Sequence, residues 1–213
     1  MATEEAKEKR LRTQGGREGT TRIAIISPRF EVSFWGQEYA LAIFGKRAIT
    51  PVAALPLLAA LTPQEHVVTL IDENVESINY DALADMDIIG VTGMSVQRFR
   101  MKHILCELKK RGCFTVVGGA WVTVQEDYFE DLADVIFVGE AEETWPAFLH
   151  DWQAGRWKRR YEQSTKSDMT RVPTPRFDLL KMQDYFYAGI QISRGCPFLC
   201  EFCDIIVTFG RLP

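Results

Sequence analysis

The chain is 213 residues long, 46% apolar and 25% charged, which suits one fully cored globular domain and part of a second. A formal net charge of −4 argues against a nucleic-acid partner, and the short basic run 158–160 reads as a solvated strand edge. No apolar run reaches the roughly 18 residues needed to cross a bilayer, and the longest, 52–61, is interrupted by Pro56. Residues 1–21 are charged, contain glycine and lack the apolar stretch of a leader peptide, so a disordered tail on a cytoplasmic protein is expected.

From residue 22 onward, short β-rich runs alternate with helical stretches. The first strand is expected at 22–26 (RIAII), ending at Ser27-Pro28. Segment 29–51 is a long stretch rich in aromatics and glycine, in which Phe34 and Trp35 either pack a loop or cover a ligand. A helix at 52–61 leads to a second strand at 67–71 (VVTLI), closing on Asp72. The third strand, 88–92 (IIGVT), is followed by a helix over 96–110 that ends at Gly112. Strands at 115–117 and 135–138 run into Gly118-Gly119 and Gly139, and a last helix covers 141–152.

Five near-continuous apolar strands with intervening helices predict an α/β fold. They would form a parallel, Rossmann-like sheet with helices on both faces, over residues 22–155. Ligands of such sheets sit beyond the carboxyl ends of the strands. Here those ends carry Ser27, Asp72, Met94, Ser95, Val96, Gly118, Gly119, Gly139 and Glu140. Several are small, which lets a flat, bulky ligand approach the backbone.

Simpler readings stand beside these. Gly118 and Gly119 alone read best as a tight strand-to-helix turn. Gly139-Glu140 reads equally well as a helix entry, with the carboxylate favourable at the helix dipole. Asp72 resembles the ribose-binding acid of dinucleotide folds, yet the first turn, Ser27-Pro28-Arg29-Phe30, lacks G-x-G-x-x-G, which argues against NAD. Cys106 and Cys113 read as core thiols, and His103 as a surface or half-buried helix residue.

Residues 156–187 read as a linker, with a basic strand-like piece at 158–162 and the pair Pro173/Pro175. Residues 188–193 (AGIQIS) are expected to open a second, incomplete domain, 188–213, as its first strand. Of the five cysteines, three lie in the sequence RGCPFLCEFC, with spacing C-x3-C-x2-C. A disulfide framework would spread its cysteines, whereas a tight cluster reads as metal-binding or catalytic. Cys196, Cys200 and Cys203 can occupy three corners of a 4Fe–4S cube and leave the fourth iron open. A structural zinc site would need a fourth ligand, and His66, His103 and His150 lie far back in the sequence.

RGCPFLCEFC resembles the signature of the radical S-adenosylmethionine superfamily. The resemblance implies a cluster on the three cysteines, S-adenosylmethionine on the open iron, and Phe202 beside the adenine. An α/β unit ahead of this motif resembles cobalamin-dependent radical enzymes, and more narrowly the hopanoid methylase-like subgroup. That likeness rests on Ser33-Phe34-Trp35, Gly45-Lys46-Arg47, Met94-Ser95-Val96-Gln97, Gly118-Gly119 and Gly139-Glu140-Ala141-Glu142. It implies cobalamin at the strand ends, facing Met94–Gln97 and without a histidine on cobalt, since D-x-H-x-x-G is absent. It further implies methylation of an unactivated carbon of a small-molecule substrate through a 5′-deoxyadenosyl radical. An electron donor such as ferredoxin or flavodoxin is implied, and the barrel would be truncated after its first strand and cluster loop, leaving this chain inactive alone. Two readings from other classes stay open: a non-catalytic cobalamin or tetrapyrrole module with a vestigial cysteine loop, and a zinc-binding interaction protein.

Overall fold

The computed structural model describes residues 19–33, 36–129, 131–203 and 205–211. The expectations for the tail over 1–18 and for Phe34 and Trp35 lie outside the described residues. Six strands form one parallel sheet in the order β2-β1-β3-β4-β5-β6. They are β1 (Arg22–Ser27), β2 (Val67–Asp72), β3 (Ile88–Thr92), β4 (Thr115–Gly118), β5 (Val135–Gly139) and β6 (Arg160–Gln163). The helices are α1 (Glu38–Ile43), α2 (Ala54–Leu61), α3 (Tyr80–Leu83), α4 (Arg98–Lys110), α5 (Ala120–Val124), α6 (Thr144–Gln153) and α7 (Ile205–Thr208).

The two-residue period of a strand divides the core in two. Ile23, Ile25, Val116 and Phe137 face α2 and α6, meeting Leu55, Phe148 and Trp152. Ala24, Ile26, Val91 and Val117 face α4 and meet Met101, Ile104 and Leu108. Both faces are therefore covered, which is why β1 and β3 read as unbroken apolar runs. Helix α2 starts at Ala54 rather than at residue 52, placing Pro56 in the first turn, where its missing N–H costs nothing. Helix α4 ends as expected, with Gly112 at φ 68 and the Cys113 amide donating back to the Leu108 carbonyl.

Three expectations need correction. The sheet has six strands, not five: β6 lies in the stretch expected to be a linker and pairs with β5 from Ile136↔Arg160 to Gly139↔Gln163. Its alternation of Arg160 and Glu162 outside with Tyr161 and Gln163 inside is that of an edge strand with one wet face. Tyr161 stacks on Phe137 at 5.5 Å, carrying the core out to the edge. Residues 188–193 form no strand, because they find no backbone ladder among the described residues, and Ile190 and Ile192 stay exposed. The long segment after β1 contains α1, whose only buried residue is Leu41.

After β6 the chain recrosses the sheet from the β6 edge to the β2 edge, roughly 24 Å across five strand spacings. It is pinned on the way. The Arg176 amide donates to the Pro56 carbonyl on α2 at 2.9 Å. At the far edge, Lys46 and the Arg47 amide each donate to the 183–184 backbone at 2.8 Å, and the Phe186 amide donates to the Ala48 carbonyl at 3.0 Å. Tyr185 closes the strap by donating its hydroxyl to Asp72 at 2.8 Å, with both side chains buried. Burial, then the neighbouring Asp72 carboxylate, pushes the Tyr185 hydroxyl well above its ordinary pKa, so it stays a donor.

Candidate functional site

The carboxyl ends of β3, β4 and β5 open on a cavity of about 370 Å³ with a mainly apolar lining. Its walls include Val116 and Phe137 of the sheet, Leu57 and Leu58 of α2, and Trp145 of α6. Glycine is required at two places on its rim. At Gly119, with φ +100, a Cβ would lie 2.7 Å from Thr92 Oγ1. At Gly139, with φ +84, a Cβ would lie 2.5 Å from the Gln163 carbonyl oxygen. Both positions combine a left-handed backbone with a close approach; at Gly119 this fits the tight-turn reading, and both glycines line the cavity as well.

The structure brings together Met94, Gly118, Gly119, Gly139 and Glu140 as lining residues of this cavity. It keeps others apart. Ser27 is fully buried at the end of β1, its Oγ without a hydrogen-bond partner among the described residues. Ser95 and Val96 lie in the 3-10 turn before α4, with Val96 exposed. Asp72 is taken by Tyr185 and by the Asn74 amide and side chain at the opposite edge. No histidine is among the described residues lining the cavity.

The cysteine segment closes on this cavity. Gln191, Arg194, Thr208 and Phe209 all line it, so the loop that carries the thiols borders the strand ends directly. Helix α7 packs against α5, Lys166 donates to the Thr208 carbonyl at 2.7 Å, and the Cys196 amide donates to the Gly210 carbonyl at 3.1 Å. The strongest link is ionic. The Arg194 guanidinium lies 3.5 Å from Glu140 Oε2 and 2.5 Å from Glu142 Oε1. Burial alone would raise the Glu142 carboxyl, but Arg194 and Ser167 hold it below the usual carboxylate range. Arg194 is a lining residue that sequence reasoning did not single out; its position beside Gly195-Cys196 in the motif was the available signal.

Cys196, Cys200 and Cys203 are free thiols, Cys200 exposed and the others half-buried. Three soft donors on one loop match an iron–sulfur cluster in chemistry. In this conformation they do not converge: among the described residues no three His, Cys, Asp or Glu side chains gather as a metal site. Phe202 is exposed at 91% and lies outside the cavity. Cys113 is buried, in keeping with a core thiol, whereas Cys106 on α4 is only half-buried. No helix among the described residues is long and apolar enough to cross a membrane.

No family model matches the chain. It is similar to an uncharacterized methyltransferase of Synechocystis sp., with 36% identity over 90% of this chain and 36% of that protein. It is similar to the hopanoid C-2 methylase of Rhodopseudomonas palustris, with 30% identity over 90% of this chain and 37% of that protein. The bacteriochlorophyllide d C-8(2)-methyltransferase of Chlorobaculum tepidum is 34% identical over 70% of this chain and 35% of its own length. The chain is thus related to methyltransferases along most of its own length, and it spans a little over a third of theirs.

Proposed function

We propose that this chain is the cofactor-holding part of a cobalamin-dependent radical S-adenosylmethionine methyltransferase acting on an unactivated carbon of a small molecule. The observation that carries this reading is the seating of the cysteine loop against an apolar cavity at the carboxyl ends of a parallel sheet. The methyltransferase relatives support the reaction class.

Cys196, Cys200 and Cys203 would hold a 4Fe–4S cluster, with S-adenosylmethionine on the iron they leave open and Phe202 free to approach its adenine. Met94, Gly118, Gly119, Gly139 and Glu140 would hold part of cobalamin, the glycines admitting a flat ring to the backbone. When bound, these groups supply a 5′-deoxyadenosyl radical and a transferable methyl group. The chain's own part is to bind, orient and exclude water: Leu57, Val116 and Phe137 give the cavity an apolar wall. Ferredoxin or flavodoxin would serve as electron donor, and residues 188–213 would begin the radical domain after the α/β unit.

Anaerobic reconstitution with ferrous iron and sulfide tests this reading. About four irons and four sulfides per chain are expected, lost in Cys196→Ala, Cys200→Ala and Cys203→Ala and retained in Cys106→Ala. Iron retention in all three loop variants would sink the cluster assignment. The open spacing of the thiols favours a second reading, a non-catalytic cobalamin or tetrapyrrole module; cobalamin uptake with no iron uptake would select it.

A further inference from the structure

We infer that Arg194 is a positioning residue: clamped between Glu140 and Glu142, it sets where the cysteine loop stands beside the cavity. The inference deepens the cluster reading of that loop and, in its spectroscopic part, rests on it.

The clamp is built on both sides. The Arg194 side chain is 11% exposed, Glu140 4% and Glu142 8%, so the contact is nearly closed to water. The carboxylates are themselves fixed. The Ser167 amide donates to Glu140 Oε2 at 2.7 Å, and its hydroxyl donates to Glu142 Oε2 at 3.1 Å. Gln163 of β6 donates to Ser167 Oγ at 2.9 Å and accepts from the Glu143 amide at 3.0 Å. The receiving end is thus part of the β5–β6 edge rather than a pair of free side chains.

Arg194 stands two residues before Cys196, across Gly195 at φ 93. A displacement of the guanidinium would therefore reach the first thiol through a single turn. The other contacts on the loop are short-range or made by single groups: Arg194 Nε donates to Gln191 Oε1 at 3.0 Å, Arg211 donates to the Pro197 carbonyl at 3.4 Å, and the Cys196 amide, Lys166 and the packing of α7 complete them. Its Phe198, Leu199 and Phe202 are mostly exposed, so apolar burial gives the loop little hold. A planar fork can meet two carboxylates at once in a fixed geometry, whereas a lysine ammonium is a point charge on a flexible stem. Removing the guanidinium would leave two buried carboxylates facing each other without their cation.

The test compares the wild type with Arg194→Gln and Arg194→Lys by two measurements on the full chain. In the metal-free protein, hydrogen exchange should quicken about tenfold or more at the Cys196 amide in Arg194→Gln while sheet amides keep their protection, with Arg194→Lys in between. In the anaerobically reconstituted protein, Arg194→Gln should retain iron while the paramagnetic resonance spectrum of the reduced cluster shifts or broadens. Arg194→Lys should partly restore the wild-type spectrum. Unchanged loop exchange in Arg194→Gln, or a spectrum identical to the wild type, overturns the proposal. If Arg194→Gln loses sheet protection as well, Arg194→Lys decides, and wild-type exchange in that variant overturns it. Should the wild type take up no iron, the cluster reading fails, and the exchange measurement on the metal-free chain still decides the role of Arg194.

Discussion

The sheet and the cysteine segment use the same side chains in opposite ways. In β1 and β3, Ile23, Ile25, Ile88 and Ile89 are fully buried, each contributing about 1.5–3 kcal/mol by leaving water. After Tyr187, Ile190, Ile192, Phe198 and Leu199 face solvent, and the backbone is fixed by a guanidinium, an amide and a lysine. Apolar burial is strong and non-directional, so it decides that a layer packs without placing one loop. Charge-assisted hydrogen bonds are directional, so a few of them can place a loop that adds little to stability.

The most direct way to break the comparison is to attack the sheet. Phe148→Ala removes a fully buried ring that packs on Phe137, Trp145 and Tyr161. It should lower unfolding stability in denaturant by about 3–5 kcal/mol, and a loss under about 1 kcal/mol would mean that this face is not the main store of stability.

Glu73→Gln probes a charged contact on the sheet side. Glu73 receives Arg100 through both Nε and a terminal nitrogen, along with the Arg29 amide. Burial raises its carboxyl, but Arg100 and Arg29 prevail and hold it below the ordinary 4.5. A depressed carboxylate stabilises above its unfolded value, and that contribution disappears as pH falls through the native value. The variant should be about 1–3 kcal/mol less stable at neutral pH. The gap should close as unfolding is repeated at pH values below 4.5, and a constant gap down to strong acid would contradict the assignment.

Tyr185→Phe removes one of the anchors at the far end of the strap and leaves the Asp72 side chain to Asn74. A loss of about 1 kcal/mol is expected, together with faster hydrogen exchange over 183–187. Exchange rates equal to the wild type would show that the strap does not depend on this bond. At the weak end, Ile192→Ser should change unfolding stability by no more than about 0.5 kcal/mol, because its side chain meets solvent. A loss approaching that of Phe148→Ala would place residues 188–193 among the packed elements.

Strands β1, β3, β4 and β5 were legible because burial on both faces writes an apolar run into the sequence, and the edge strand β2 because VVTLI keeps a β-rich composition although Val67 is exposed. Strand β6 was seen only as a basic, strand-like piece of linker, since an edge strand with one wet face carries Arg160 and Glu162 among its few residues. The segment 188–193 has strand composition, yet a strand exists only with a partner, and composition cannot supply one. At the site, the cysteine spacing and the glycine turns were readable because each is local. Glu140 was read as a cofactor residue or a helix-dipole partner, and Arg194 only as part of a motif. Their pairing joins positions more than fifty residues apart, and no local pattern reports that kind of contact.

The strap also imposes an order on synthesis. Asp72 and Tyr185 are 113 residues apart, so a ribosome adding 5–20 residues per second makes the first roughly 6–23 s before the second. During that interval β2 is an edge strand whose terminal carboxylate has Asn74 but no tyrosine. The nascent sheet can assemble from its amino-terminal strands, but its β2 edge is bolted only late, when the chain has returned across the whole sheet. A pause or a nick between 164 and 184 would therefore be felt first at β2, the strand farthest across the sheet from the β6 edge where that segment begins.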